Sequence, residues 1–205
     1  MARITKDPQV RIAEIIDAAE TLFNTHGYQE TQVSDIVKAV GVAQGTFYYY
    51  FKSKEEVVEA IVRRTMDRIL AEVEDICVAK DMDASQKMSM VVQTAINGTR
   101  NRSGLSFEYL YTDHNLHILD KIGRQANELF VRPLKKIIVE GIEQKSFNIV
   151  YSEPVAEFIL AIIRVVLDSR YNKETAECQA QRLEIAQKLI EAALGSKKGS
   201  ILFGV

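Results

Sequence analysis

Five consecutive aromatic residues, at positions 47–51, are the residues whose types most clearly suggest a role in binding. They stand in a chain with eight Phe, eight Tyr and no Trp. A helix turns by about 100° per residue, which places Phe47 and Phe51 on one face and Gln44, Tyr48 and Tyr49 on another. The phenylalanines are therefore predicted to pack in the core, and the tyrosines to face a partner.

The polar residues of this stretch suit the backbone and bases of DNA. A tyrosine hydroxyl donates a hydrogen bond to a phosphate oxygen, and its ring packs on sugar. Gln44 is a residue type that reads adenine in the major groove, and Gly45 lets another backbone come close. Thr46 can donate to a phosphate, while Lys52 and Lys54 add positive charge beside the aromatic run.

A second group of residues has the composition of a metal site. The segment 113–120 contains Asp113, His114, His117 and Asp120. Two His three residues apart on a helix can share a metal ion with an acid. This keeps open, as an alternative, a metal-sensing regulator or a metal-binding helical protein. A polar loop and helix start without metal explains the same residues.

No sequence pattern makes a positive case for catalysis. The chain has no GxSxG, P-loop, GxGxxG or HExxH motif. We therefore expect no enzyme and no cofactor. The net charge of −2 excludes a generic polyanion binder, so any DNA contact must come from a local patch. The chain has no signal peptide and no apolar run long enough for a membrane span, which predicts a cytoplasmic protein.

The first fifty-odd residues are predicted to form three helices. Apolar residues at helical spacing indicate a helix over 8–26. Thr31 is predicted to cap a short second helix that Gly41 ends, and a third follows to about residue 50. Two short helices joined by a tight turn that contains glycine form a helix-turn-helix. Ser53 and Glu56 then make a capping box that opens a long helix to about residue 79.

The rest of the chain is predicted to be helical as well. Helices are expected over 84–101, 105–113 and 117–145, from Ser152 to about 170, and from Asn172 to near Gly195. The predicted fold class is all-α, with about nine helices. We divide the chain into a helix-turn-helix domain at 1–52, a helical domain at 53–195 and a mobile tail at 196–205.

The helix after Ser152 is apolar on almost every side. Between residues 156 and 167 its only charges are Glu157 and Arg164, which lie nearly on one stripe. Such a helix must be covered on both flanks. Two such helices from each of two chains would form a four-helix homodimer interface; a bundle buried within one chain is the alternative. The predicted interface residues are Ile159, Ile163, Val166, Leu183, Ala186, Leu189, Ile190 and Ala193.

The block TQVSDIVKAVGVAQGTFYYYFKSKEEVV, residues 31–58, strongly resembles the DNA-binding segment of tetracycline-repressor-type (TetR family) regulators. The upstream IIDAAETLFNTHGYQET is similar to the family's first helix and loop. The resemblance covers about residues 10–60 and does not extend by sequence into 80–205. Two positions depart from the family pattern: Val40 replaces an alanine in the turn, and Tyr50 stands where a histidine is common.

The resemblance implies a DNA-binding residue set. Gln44 is expected to contact a base, and Thr46, Tyr48, Tyr50 and Lys54 to contact phosphates. The set as a whole is Thr31, Ala43, Gln44, Thr46, Tyr48, Tyr49, Tyr50 and Lys54. A two-fold dimer would hold two recognition helices about 34 Å apart on a palindromic site in double-stranded DNA.

The resemblance also implies a repressor that a small-molecule effector releases from DNA. The 53–195 domain would bind the effector as well as form the dimer. Apolar pockets bind small organic ligands, so we expect a hydrophobic or amphipathic effector. Arg164, a lone guanidinium on an apolar helix, can meet a ligand carboxylate. The predicted effector-binding residues are Phe107, Leu110, Tyr111, His114, Phe130, Ile137, Phe158 and Arg164. A helical interaction protein with a degenerate helix-turn-helix is a further alternative.

The charge of residues 1–60 argues against DNA binding. Six basic residues face nine acidic ones, which gives a net charge of −3. A DNA-binding domain is expected to present a basic face. The basic residues are nevertheless grouped where DNA binding is predicted, because residues 38–54 contain three lysines and no acid. Acids such as Asp17 and Glu20 can then point away from the DNA.

Overall fold

The computed structural model describes residues 7–98, 116–171 and 174–203. Within these ranges the chain forms eight helices and no strand, which confirms the all-α class. The helices are α1 (Pro8–His26), α2 (Val33–Val40), α3 (Gln44–Tyr50), α4 (Lys54–Val78), α5 (Ala84–Gly98), α6 (Leu116–Glu143), α7 (Ser152–Tyr171) and α8 (Ala176–Leu194). None of the helices in these ranges has the length and apolar character that crossing a membrane requires.

Helices α1, α2 and α3 pack as a small head on the first half of α4. The side chain of Asp7 caps α1 by accepting a hydrogen bond from the Gln9 N–H at 2.7 Å. Gly41 ends α2 in the left-handed conformation, at φ 73° and ψ 38°, and turns the chain into α3. Phe47 of α3 is fully buried in the centre of this head.

The cap of α2 differs from the prediction. Gln32 occupies the N-cap position, and its N–H donates to the Asp35 carboxylate at 2.8 Å. Thr31 is buried, and its hydroxyl donates to the Gly27 carbonyl at 2.7 Å. Thr31, which we expected to cap the start of α2, is therefore bonded within the loop after α1.

The body is built from α4 to α8. Helix α4 packs on α5 and α6, α6 on α7, and α7 on α8. A buried ion pair joins α5 to α6, in which Lys87 Nζ lies 2.7 Å from Glu140 Oε2. The hydrophobic core runs without a break from the head into the body through α4. The division at residue 52 therefore stays a prediction.

Of the helices predicted in the body, one begins later than expected and one lies outside the described residues. The last helix begins at Ala176, and Thr175 caps it by accepting from the Cys178 N–H. This start lies later than the predicted cap at Asn172, which is outside the described residues. The helix predicted over 105–113 also lies outside them.

The segment after Gly195, which we expected to be mobile, packs against α5 and α8. Ile201 is fully buried. The Glu191 carboxylate accepts from the Gly199 N–H at 2.8 Å and from the Ile201 N–H at 3.2 Å. The Leu202 N–H donates to the Ser89 hydroxyl at 2.9 Å. The segment is ordered because residues of α5 and α8, distant in sequence, accept hydrogen bonds from its backbone, and the sequence of the segment alone does not show them.

Candidate nucleic-acid interface and internal cavity

The outer face of α3 carries the aromatic residues that the sequence predicted to be exposed. Tyr49 is 80% exposed and Tyr48 is 52% exposed, whereas Phe47 is fully buried. The two faces of the helix are therefore as expected. Gln44 is exposed beside the tyrosines. Clustered exposed rings are unusual on a protein surface and mark interaction sites.

The N-terminal end of α3 is open to a large partner. A Cβ atom built on Gly45 meets no atom within 4 Å. Ala43, the N-cap residue, is exposed, and Thr46 is half-buried. Tyr50 is half-buried, and its ring stands edge-on to the ring of Tyr49 at a centroid distance of 4.8 Å. The backbone at Gly45 can thus approach another molecule closely.

Lys54 and Thr31 are turned into the protein. Lys54 Nζ donates to the carbonyls of Tyr28 at 2.9 Å and Thr31 at 2.7 Å, and lies 4.3 Å from the centre of the Tyr28 ring. Burial lowers the pKa of Lys54, against the charges of Glu55 and Glu30, which raise it. The Thr31 hydroxyl is held by Gly27. This arrangement favours positioning of the loop between α1 and α2 over the predicted DNA contacts of these two residues.

The acidic residues of the head are engaged within the protein. Arg64 of α4 pairs with both Asp17 and Glu20 of α1. Others serve as caps or accept hydrogen bonds from the chain. Eight of the nine acids in 1–60 have a described partner, namely Asp7, Glu14, Asp17, Glu20, Asp35, Glu55, Glu56 and Glu59. Near α3, Lys38 and Lys52 remain exposed. The net negative charge of the head is therefore not the charge of the surface around α3, where the exposed charged residues named here are lysines.

A cavity of about 420 Å³ lies between α4, α5, α6 and α7. Its volume falls within the range of pockets that bind small organic molecules. Most of its wall is apolar, and its polar groups gather along α6 and α7. The apolar lining includes Val62, Met66, Ile69, Val73, Val91, Leu119, Ile122, Phe130, Leu134, Leu160, Ile163 and Leu167. The polar lining includes Asp120, Arg124, Asn127, Arg164 and Asp168.

The structure brings only part of the predicted effector set to this cavity. Phe130 and Arg164 line it. Ile137 is fully buried and absent from the lining, whereas Phe158 is 66% exposed on the outer surface of α7. Phe107, Leu110, Tyr111 and His114 lie outside the described residues. The lining residues of α4 were not predicted, because their spacing is the same as that of ordinary core residues.

An exposed apolar surface runs along α7 and α8, formed by Phe158, Val165, Ile185 and Leu189. We call it the outer stripe. Of the predicted interface residues, Leu189 belongs to it. Ile159, Ile163, Val166, Leu183, Ala186 and Ile190 are buried within the single chain, as in the alternative of a bundle buried within one chain. Their place in a dimer interface stays a prediction, because a helix that is apolar all round does not show in its sequence which side forms its own core. Ala193 is half-buried.

The proposed metal residues are not brought together in the described part of the chain. Asp113, His114 and the side chain of His117 lie outside it. Among the residues that the structure does describe, no cluster of three potential metal ligands occurs.

Comparison with known proteins places the head in a family. Residues 15–61 match the family model of bacterial regulatory proteins of the tetR family. The fatty acid metabolism regulator protein of Bacillus subtilis is 29% identical over 136 residues, 66% of this chain and 64% of that protein, slightly less than two thirds of its length. The HTH-type transcriptional repressor KstR2 of Rhodococcus jostii is 28% identical over 137 residues, 64% of this chain and 67% of the repressor.

The likeness extends to the whole fold. The crystal structure of a transcriptional regulator from Cytophaga hutchinsonii superposes with a TM-score of 0.67 over 92% of this chain and 98% of the other, at 22% identity. The helix-turn-helix head of this chain is therefore similar to the tetR family of bacterial regulatory proteins, and the described chain shares its fold with a solved transcriptional regulator.

Proposed function

We propose that this protein is a repressor that binds a palindromic operator as a homodimer in the cytoplasm and is released by a small hydrophobic or amphipathic effector. The observation that carries the proposal is the outer face of α3. It exposes Tyr48 and Tyr49 next to Gln44 and a glycine that no other atom crowds. The aromatic rings of this face interact only weakly with water, and its polar groups suit the groove of a DNA duplex.

Within this interface the residues have different tasks. Gln44 reads a base in the major groove, and Thr46, Tyr48 and Tyr50 contact phosphates. Tyr49 packs on the sugar-phosphate backbone, and Ala43 lies at the edge of the contact. Thr31 and Lys54 act indirectly, since their donors are used by the loop carbonyls that hold α2 and α3 in place.

The outer stripe supplies the homodimer contact. Phe158 and Val165 on α7 and Ile185 and Leu189 on α8 are large apolar residues that are each at least half exposed, and grouped exposed apolar residues mark interaction sites. A two-fold axis through this surface would pair α7 and α8 with their copies. The two heads would then lie on the same side of the dimer and meet two half-sites of one duplex.

Helix α4 connects the cavity to the head. Val57, Val58 and Ile61 at its start are buried with the head, while Val62 and Met66 line the cavity. Because α4 is one continuous helix, a ligand that displaces its middle also moves its start. The proposed effect is a population shift toward a dimer whose heads are too far apart for one turn of duplex.

A second link between the cavity and the start of α4 runs through α6. Lys121 Nζ lies 2.5 Å from Glu59 Oε2 on α4, and the next residue, Ile122, lines the cavity. A ligand that moves this part of α6 pulls on α4 through the ion pair. The relative from Bacillus subtilis is named for fatty acid metabolism, and an apolar cavity of this size suits an effector with an alkyl body. Nothing in the comparisons favours a metal effector.

Selection of bound sequences from a pool of random duplexes tests the proposal. We expect enrichment of a two-fold symmetric site whose half-sites are centred about 10 base pairs, or a small multiple, apart. A variant with Tyr48 and Tyr49 changed to Ala should enrich nothing. Recovery of unrelated sequences by the unchanged protein would contradict the proposal and favour a degenerate helix-turn-helix.

A further inference from the structure

Apart from Thr65 of α4, the polar residues that line the cavity lie on one side, on α6 and α7. Arg164 projects from α7 and lies over Gly123 of α6, such that a Cβ built on Gly123 would be 2.9 Å from Arg164 Nη1. The absence of a side chain at position 123 therefore gives the guanidinium its place. Arg124, the next residue along α6, lines the same side of the cavity. Two guanidiniums thus stand at the polar edge of a mainly apolar pocket, together with the carboxylates of Asp120 and Asp168.

The guanidinium of Arg164 is only loosely held. Its ion pair with Asp168, in which Nε lies 3.9 Å from Oδ2, is beyond hydrogen-bond distance. Within the described residues no closer acidic partner of Arg164 is found. Asp168, in contrast, has a further interaction partner. The group at this edge that lacks a close partner is therefore the cation, and what it lacks is an anion.

Arg124 can be recruited by a ligand at little cost. It pairs with Asp120 one turn earlier on α6, and both side chains are largely exposed. An exposed pair at this spacing contributes little to stability, because water screens it and both side chains lose freedom. A ligand anion held in the fork of one guanidinium gains more than this pair loses.

We propose that the effector is an amphiphile with a single anionic group, carboxylate or phosphate, which Arg164 and Arg124 bind at the α6–α7 edge while its alkyl body fills the apolar cavity. This inference rests on the proposed function, since it assigns the chemistry of the same effector site. Gly123 leaves space for the Arg164 guanidinium. The anion also ties α7 to α6 next to Ile122 and Lys121, the residues that face the head.

Calorimetric titration of the full chain tests the head-group chemistry with four probes of equal chain length: decanoate, decyl phosphate, decanol and decyltrimethylammonium. We expect at least one anion to bind at least tenfold more tightly than decanol, and the ammonium probe to bind more weakly than decanol. The better of decanoate and decyl phosphate identifies the anion. Octanoate should bind about 15-fold more weakly than decanoate, from about fourfold per methylene buried. Equal affinity for decanol and both anions, or no binding of any probe, would overturn the inference.

Substitutions locate the anion on Arg164. Arg164→Gln should weaken binding of the preferred anion about 10- to 150-fold, the worth of a charged hydrogen bond, and leave decanol unchanged. Arg164→Lys should give an intermediate loss because it keeps the charge without the fork. Arg132→Gln is the matched control, an exposed arginine on α6 outside the cavity lining. Equal losses in Arg164→Gln and Arg132→Gln would refute the site.

Operator binding is measured separately in the same samples. Anion binding that depends on Arg164 but does not change operator affinity would retain this site and refute release by the effector. Operator release by decanol as well as by both anions would retain the proposed function and refute the anionic class.

Discussion

The substitution Gly45→Ala separates the stability of the head from its contact with DNA. Gly45 lies in the first turn of α3, and a Cβ there meets nothing within 4 Å in the free protein. Glycine costs a helix about 0.5–1 kcal/mol relative to alanine. At the end of a short helix we expect the lower value, a gain of about 0.5 kcal/mol. For a chain of this size that raises Tm by about 1–2 °C.

DNA affinity should change in the opposite direction. If the backbone at Gly45 approaches the duplex closely, an added methyl group meets DNA atoms, and overpacking of this kind costs about 1–3 kcal/mol. That corresponds to a loss of about 5- to 150-fold for each head. Gly45→Leu should lose more affinity than Gly45→Ala with no loss of fold. Fluorescence anisotropy with the selected duplex and thermal melting of the same samples measure both effects.

Two results would refute this reasoning. Wild-type affinity in both variants would show that the duplex does not come close to the start of α3. A fall in Tm would show that the space around Gly45 is filled in the folded protein. Size-exclusion chromatography checks that both variants keep the oligomeric state of the wild type, so that a change of assembly does not imitate a lost contact.

Three further predictions concern the loop, the dimer and the coupling contact. Lys54→Met should lower Tm, because the loop carbonyls lose their donor, and should leave the slope of log Kd against log salt unchanged; a decrease of about 0.9 per head would instead show a phosphate contact. Phe158→Glu should convert the dimer to a monomer in sedimentation. The control Val139→Glu should not, because Val139 is an exposed apolar residue of α6 outside the outer stripe. A Phe158→Glu variant that stays dimeric would exclude the outer stripe as the dimer contact. Lys121→Ala should keep operator and effector affinities but reduce the effect of effector on operator affinity several-fold, measured by titrating DNA with and without effector; undiminished coupling would show that the ion pair with Glu59 transmits nothing.

Helix α3 could be predicted from sequence because its pattern is local. Phe47 and Phe51 lie four residues apart and are both buried, while the tyrosines between them show graded exposure. Such a pattern needs no knowledge of the rest of the fold. The N-cap of α4 at Ser53 and the end of α2 at Gly41 were predictable for the same reason. The Glu56 side chain, expected to complete a capping box with Ser53, accepts from the Lys52 N–H instead.

Lys54 shows where local sequence is not enough. Beside an aromatic run it has the appearance of a phosphate contact, yet its ammonium group binds carbonyls 26 and 23 residues away. Those carbonyls belong to a loop whose geometry depends on packing between α1 and α4. Buried or half-buried carbonyls need a donor, and the nearest lysine supplies it.

The exposed face of α7 and the cavity were less predictable. In α7 almost every side is apolar, so sequence periodicity does not tell which side meets α6 and α8 and which side stays outside. Ile159 and Phe158 are neighbours in sequence, but the first is fully buried and the second is exposed. The walls of the cavity follow the same periodicity as a filled core. Only Arg164, as a charge on an apolar helix, gave a local sign of the cavity.

Site-specific photo-cross-linking at position 49 tests the central claim most directly. A benzoylphenylalanine in place of Tyr49 should cross-link to the selected duplex at two symmetric positions, one in each half-site. The same group in place of Tyr151, which is 73% exposed on the body, should give no cross-link. Equal labelling from both positions, or labelling from Tyr151 alone, would contradict an interface in which the outer face of α3 enters the DNA groove.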